Sequence, residues 1–359
     1  MKKLVSIFFL ILLFSEIGFG QALLEGTVKD MRTGKPLSGV NVYLSGTIFG
    51  TSTDNNGRYK FSPSTTGSHQ LVFSFVGYQK EVRQVELKSS SAFTRNVSMK
   101  EKVNKLETIE VTASNEEWQK QYSIFFDQFI GKTELASEVT IENPWVLDFK
   151  ERKGLIIATA KKPLTVINMA LGYKIYVELV KFEWPKYQDR GGIYMIYPKY
   201  ERLTPDGEQQ QHRWKKNRIK SYAGSLDHFL KSLYTNKLEE NNFSVDQSRN
   251  LSPLPQGKTK YELMSKPDIP YAARETAKGF ELKGKIDVKF DGNIKYEFDG
   301  TTYSVSIEKQ GGIMSKARDH FFFIDRYGTL LNPVSLQMYQ WWADSRMANS
   351  LPKNYSIAN

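Results

Sequence analysis

The sequence contains no cysteine, which excludes disulfides, thiolate metal sites and a cysteine nucleophile. It also removes the thiol through which a bacterial lipoprotein takes its lipid anchor. Histidine is scarce. Of His69, His212, His228 and His320, none has glutamate three positions later and none lies in His-Glu-x-x-His. A peptidase zinc site built from two histidines and a glutamate, with a further glutamate as base, therefore fails on ligand inventory. Long apolar runs are missing as well. Leu4 to Phe14 is apolar apart from Ser6, about half of the ~20 residues that a membrane-spanning helix needs.

What is present begins with an export signal. Lys2 and Lys3 precede the apolar run, and Gly18 and Gly20 put small side chains before Gln21. This anatomy predicts cleavage after Gly20, so residues 1–20 are read as a signal peptide. The formal charge of +11 falls to about +10 once Lys2, Lys3 and Glu16 leave, and a basic surface attracts anions. Export makes nucleic acid a poor partner and favours an acidic glycan or an acidic envelope protein. Any membrane association is peripheral, in the periplasm or at the outer-membrane surface. With 40% hydrophobic and 13% aromatic residues among 359, there is apolar material for two domains.

The first domain reads as strands. Leu24, Gly26 and Val28 alternate with polar residues, and Val40, Val42 and Leu44 make the next inward set. Asp54-Asn55-Asn56-Gly57 is a hairpin turn, because Asn and Gly accept positive φ cheaply. Leu71, Phe73 and Phe75 form another strand ending at Gly77-Tyr78, and Val82 to Leu87 and Phe93 to Met99 close the series. Six or seven short strands predict an antiparallel β-sandwich over residues 22–100.

These residues carry a resemblance. Gly26-x-Val28-x-Asp30, Thr33-Gly34-Lys35-Pro36-Leu37, Gly39-Val40-x-Val42, Gly50-Thr51-x-Thr53-Asp54-x-Asn56-Gly57-x-Tyr59 and Phe75-x-Gly77-Tyr78 closely resemble the carboxypeptidase regulatory-like domain. The resemblance implies a prealbumin-like (Ig-like) sandwich common in exported proteins of Bacteroidetes-type bacteria. It implies an accessory module rather than an activity. Leu106 to Ala113 looks like the short segment before the plug of TonB-dependent transporters, but the chain beyond Ala113 is shorter than a plug and barrel require. Residues 101–114 are accordingly read as a linker or edge strand.

Residues 115–350 predict an α+β domain with an antiparallel sheet. Ser114 and Glu117 form a capping-box pattern before Trp118, Tyr122, Phe125 and Phe129, and Gly131 ends that helix. Two-residue periodicity then runs through 146–149, 155–160 and 173–184. Its phase changes near Leu179-Val180, where a bulge is expected. Ile193 to Tyr200 is a further strand. Ser225 caps a helix over 226–239, and residues 250–270, with four prolines, read as a surface loop. A meander starts from Phe280, turning at Asp291-Gly292-Asn293 and closing at Phe321 to Ile324. Asn332-Pro333 then starts a helix bearing Val334, Met338, Trp341 and Trp342. The whole resembles uncharacterised Bacteroidetes envelope proteins that join such a sandwich to an α+β domain. The residues carrying this include Ile141-x-Asn143-Pro144, Leu171-Gly172-Tyr173 and Tyr222-x-Gly224-Ser225-x-x-His228-Phe229. It implies no known activity.

No catalytic constellation stands out and no cofactor is implied. Ser225, Asp227 and His228 suggest a serine hydrolase, but no Gly-x-Ser-x-Gly elbow surrounds Ser225. Asp319, His320 and Asp325 could ligate a metal, although a strand begins at Phe321. The stretch 212–222, "HRWKKNRIKSY", is the candidate binding surface. Arg213, Trp214, Arg218 and Tyr222, with His228 beyond them, would contact an acidic glycan or protein segment. The competing reading is an edge strand with outward lysines and Trp214 packed inward. The expected function is thus a non-catalytic envelope protein in which the sandwich docks or spaces and the α+β domain meets a partner. A hydrolase or glycan-modifying enzyme with a dispersed site is the alternative.

Overall fold

The computed structural model describes residues 21–102, 115–186, 191–264, 274, 276–316, 321–325, 327–332 and 335–357. The signal peptide, the segment from Leu106 to Ala113, Ser114, Asp319 and His320 lie outside these residues.

Eight strands build the sandwich: β1 (Leu23–Asp30), β2 (Asn41–Leu44), β3 (Gly50–Ser52), β4 (Arg58–Phe61), β5 (Gly67–Ser74), β6 (Glu81–Leu87), β7 (Ala92–Thr94) and β8 (Val97–Met99). One sheet runs β3-β2-β5-β6, and in the other β1 pairs with β4, β7 and β8. Leu24, Val28, Val40, Val42, Leu44, Leu71 and Phe73 are fully buried between the sheets. The predicted turn forms, with the Asp54 carboxylate accepting from the amides of Asn56 at 2.9 Å and Arg58 at 2.8 Å. Asp30 organises another turn. It accepts from the Arg32 and Thr33 amides, the Thr33 hydroxyl and the Tyr78 hydroxyl, so two of the sequence motifs meet on one carboxylate.

The closing strand departs from the antiparallel expectation. β7 and β8 both run parallel to β1, and the single expected strand is split at Arg95-Asn96. Asn96 accepts from the amide and hydroxyl of Thr27, and the Arg95 carbonyl accepts from the Tyr59 hydroxyl at 2.8 Å. A Cβ on Gly26 would lie 2.0 Å from that carbonyl, so this close approach requires glycine.

After the sandwich, helix α1 (Asn115–Ile130) packs on a six-stranded antiparallel sheet: β9 (Val139–Ile141), β10 (Leu147–Arg152), β11 (Leu155–Ala160), β12 (Leu164–Asn168), β13 (Tyr173–Pro185) and β14 (Ile193–Arg202). Strand β13 is the spine. β14 pairs along one side of it, while β12 and β11 share the other side at opposite ends. The expected bulge falls between Leu179 and Lys181. It leaves Leu179 and Phe182 buried and Val180 exposed, which reconciles the two phases. The aromatic stripe of α1 enters this core, with Phe125 4.7 Å from Phe182 and 5.0 Å from Phe129. The core is completed from far along the chain: Met347 and Ala348 are buried in it, and Asn168 donates to the Ala348 carbonyl at 2.9 Å.

A second core surrounds helices α2 (Glu208–Tyr222) and α3 (Leu226–Thr235), with α4 (Gln256–Met264) nearby. Strands β15 (Phe243–Asp246), β18 (Lys285–Phe298), β19 (Thr301–Lys316) and β21 (Leu336–Tyr339) form one sheet; β16 (Leu251–Pro253), β17 (Lys278–Leu282) and β20 (Phe321–Ile324) form another.

Five local expectations change here. The stretch 212–222 is helix, so the edge-strand reading is replaced. Helix α3 stops at Thr235 because Asn236 takes a left-handed cap at φ 57°. Residues 251–264 hold a strand and a helix instead of an uninterrupted loop. The chain does not turn at Asp291-Gly292-Asn293, which pair straight across to Glu308, Ile307 and Ser306. The turn is Asp299-Gly300, at φ 48° and 69°, as a two-residue hairpin requires. Finally, residues 336–339, expected in a helix, pair with Ile313 to Lys316 as a strand. The open edge of β19 outweighs the helical spacing; Pro333 and Val334 lie outside the described residues, and among the described residues of this segment α-helix is the single turn Trp341–Asp344.

Candidate functional site

Helix α2 brings Trp214 and Arg218 to one place. Trp214 is buried and donates to the Met169 carbonyl at 2.6 Å. Asn217 donates to Ala170 at 2.9 Å, and Arg218 to Leu171 at 2.7 Å and Gly172 at 3.3 Å. One helix face thus satisfies four consecutive carbonyls between β12 and β13, and the Arg218 guanidinium lies 4.5 Å over the Tyr173 ring. Burial holds the Arg218 pKa below its ordinary value. Asn217, which the sequence did not single out, is an equal member of this set. Arg213 sits apart, paired with Glu138 at 2.9 Å.

Tyr222 and His228 meet elsewhere, with ring centroids 4.8 Å apart and stacked. His228 is buried, its Nδ1 accepts from the Gly224 amide at 3.2 Å, and desolvation pushes its pKa down to about 4. Ser225 accepts from the His228 backbone amide at 3.1 Å as the α3 cap. Ser225 and the His228 ring are therefore not joined as nucleophile and base. Asp325 commits its carboxylate to the amides of Tyr327 and Thr329, both at 2.9 Å, which is turn chemistry.

Tyr222 also lines a cavity of about 290 Å³. The cavity opens where three bodies meet: β14 through Tyr194 and Ile196, the start of α3 through Ser225 and Asp227, and the segment 345–355. The sandwich closes the junction from outside. Its β2–β3 turn reaches the edge of β14, where Gly46 donates to Pro198 at 2.6 Å and Tyr200 donates to Thr47 at 2.9 Å. Tyr43 donates its hydroxyl to the Tyr197 carbonyl at 3.1 Å, which explains why both faces of β2 are buried. Lys80 pairs with Glu178 at 3.1 Å.

Asp227 is the one carboxylate among the described residues that line the cavity. The residue is exposed, yet desolvation by the protein around its carboxylate raises its pKa, the Lys353 charge opposes this, and Asp325 adds to it. Burial also pushes the Tyr222 hydroxyl up to about 12 and raises Tyr355. Chemically the site offers hydroxyls, aromatic faces, one carboxylate and lysine ammonium groups. Lys353 and Tyr355 were not identified from sequence as site residues, and Asp227 was named there only between Ser225 and His228 as part of a hydrolase pattern. They come together only through the path of residues 345–355, which shows no periodic pattern. Among the described residues no group of three or more histidines, aspartates or glutamates could hold a metal ion.

Comparison with known proteins places the N-terminal part. Residues 24–111 match the CarboxypepD_reg-like domain family, and the sandwich resemblance rests on the same residues. The TonB-dependent receptor P39 of Formosa agariphila is 33% identical over 114 residues, 31% of this chain and 10% of the receptor. The chain thus spans about a tenth of the curated relative it matches. Among solved structures, a Bacteroides fragilis protein of unknown function, provisionally described as membrane-associated, is 11% identical with a TM-score of 0.19, covering 82% of this chain and 97% of its own. A Bacteroides uniformis protein provisionally described as carbohydrate-binding is 9% identical with a TM-score of 0.18, covering 81% and 100%. Neither superposes well enough to inform the site.

Proposed function

We propose that this chain, a CarboxypepD_reg-like sandwich followed by an α+β region, is an exported, non-catalytic envelope protein that binds a glycan or a protein partner. The sandwich serves as a docking module and the α+β region makes the contact, in the periplasm or at the outer-membrane surface. The observation that carries the reading is the junction cavity. Among the described residues it has polar and aromatic walls but a single carboxylate, whereas glycoside hydrolysis by the usual route needs two. Ser225 and His228, the nearest pair of hydrolytic type, are committed to the start of α3 and to the Gly224 amide. Such a site can hold a ligand without turning it over. The basic start, apolar run and small residues of positions 1–20 support a chain carried out of the cytoplasm.

The test is direct. The protein should fractionate with the envelope beginning at Gln21, be retained on immobilised envelope glycan or an envelope protein fraction, and leave glycan and ester substrates intact. Turnover that disappears in Asp227→Asn would replace the binding reading with the enzyme.

A further inference from the structure

We propose that the junction cavity binds a single carboxylated sugar ring; this deepens the glycan-binding reading above and rests on it. Size comes first. About 290 Å³ lies at the lower limit of small-molecule sites, roughly 300–1,000 Å³, so one ring fits and a chain of rings does not.

Charge decides the sign of the ligand. Lys231, Lys353 and Arg346 line the cavity against the lone Asp227. Arg346 is already engaged: it donates to the Ala343 carbonyl at 2.7 Å and to the Gln128 side chain at 2.8 Å, and lies 4.6 Å over the Trp184 ring. Among the described residues neither Lys231 nor Lys353 has a carboxylate within ion-pair distance. Asp325, whose charge reaches both Asp227 and Lys353, does not line the cavity and is held by the Tyr327 and Thr329 amides. Among the described lining residues two free ammonium groups therefore face one carboxylate, and a monoanion balances them. A phosphate dianion would face Asp227 and be repelled by it.

The remaining polar groups ask for hydroxyls. Asp227 is exposed and, among the described residues, receives no hydrogen bond, and Ser345 Oγ is buried without a partner. A carboxylate in this position can accept charge-assisted hydrogen bonds from two neighbouring hydroxyls of a sugar. An amino acid would answer the charges but leave the hydroxyl-binding groups empty. Tyr222 and Tyr355, 5.5 Å apart with their planes inclined at 59°, supply two aromatic faces, either of which can pack against a ring's C–H face. The sandwich helps to place the cation, since the Lys353 side chain runs against Gly46.

The experiment is saturation-transfer NMR with calorimetry on the full chain from Gln21. The probes are glucuronate, galacturonate, mannuronate and N-acetylneuraminate, with glucose, galactose and L-serine for comparison. At least one acid should bind tenfold or more tightly than either neutral sugar, and its affinity should fall with salt while theirs does not. Lys353→Met and Lys231→Met, made separately, should each weaken that acid about tenfold and leave neutral sugars unchanged. Asp227→Asn should weaken acid and neutral sugars alike. Neutral sugars binding as well as every acid overturns the carboxylated class and spares the glycan reading. L-serine competing best overturns the sugar class. No binding by any sugar, with retention on an envelope protein fraction, overturns this proposal and leaves the protein-partner reading. The salt dependence of the unmodified protein decides the matter even if a variant fails to fold.

Discussion

Lys353 donates its backbone amide to the carbonyl of Gly46 at 2.8 Å, and its side chain lies 3.1 Å from where a Cβ on Gly46 would sit. A residue 307 positions earlier, at φ 76°, thereby fixes a wall of the cavity. Gly46→Ala should cost about 1–2 kcal/mol from backbone strain. It should also loosen the sandwich from β14. Hydrogen exchange should show faster exchange at Gly46 and Tyr200 than in the unmodified protein; unchanged protection would show that the turn is not holding the junction.

The face of α2 should behave as structure. Trp214→Ala removes a buried indole and its bond to Met169, and should cost ~3–5 kcal/mol in urea unfolding. Arg218→Ala strips donors from two carbonyls and should cost ~1.5–3 kcal/mol. Arg213→Ala breaks a half-exposed pair with Glu138 and should cost ~0.5 kcal/mol or less. Equal effects of the two arginine substitutions would contradict this ordering.

The Asp30 turn predicts acid behaviour. Hydrogen bonds from the Thr33 amide, the Tyr78 hydroxyl and the Thr33 hydroxyl lower its pKa from 3.8 to about 2. The folded state therefore binds fewer protons than the unfolded one between these values. The resulting stability is present above pH 3.8 and is lost as pH falls toward 2. Asp30→Asn should lower the melting temperature at pH 7, and its deficit relative to wild type should shrink between about pH 4 and 2. A constant deficit would remove the carboxylate charge from the account.

Lys309 predicts the opposite end of the scale. Its ammonium donates to the Lys220 and Ala223 carbonyls at the end of α2 and lies 4.3 Å over the Trp341 ring. Desolvation nonetheless pulls its pKa down to about 7. Between 7 and the ordinary 10.5 the unfolded chain holds the extra proton, so this group makes stability rise with pH in that window. Lys309→Met should flatten the rise between about pH 7 and 9, before the tyrosines titrate. Chemical denaturation at stepped pH would detect it.

Much of this architecture could be read locally. The Leu179–Lys181 bulge, the Asp54–Gly57 turn, the Gly131 stop and the Ser225 cap each depend on side chains within a few positions of one another. Asp291-Gly292 and Asp299-Gly300 mark the limit of local reading. Both carry the same turn chemistry, and the choice between them was made by pairing with residues 306–308 and by the Asn242 carbonyl, which receives the Asp291 amide at 3.2 Å. The site lies further beyond that limit. Trp214, Asn217 and Arg218 look like exposed basic surface until the carbonyls of 169–172, some 45 positions away, lie beneath them. Asp227 and Lys353 share a cavity although 126 positions separate them, a relation that no window of sequence contains.

The contribution of residues 347–350 to the first sheet sets an order of events. Met347 and Ala348 fill a core otherwise made by residues 125–200, Thr133 binds Asn349 at 2.6 Å, and Tyr200 binds Ser350. A chain emerging from its N-terminus exposes that gap while roughly 150 further residues arrive, and contacts so distant in sequence form slowly. The sandwich can fold at once, but the sheet behind it waits. An interval of exposed apolar surface is therefore built into maturation, and a holding chaperone or a crowded exit site would act on it before any ligand could find a cavity.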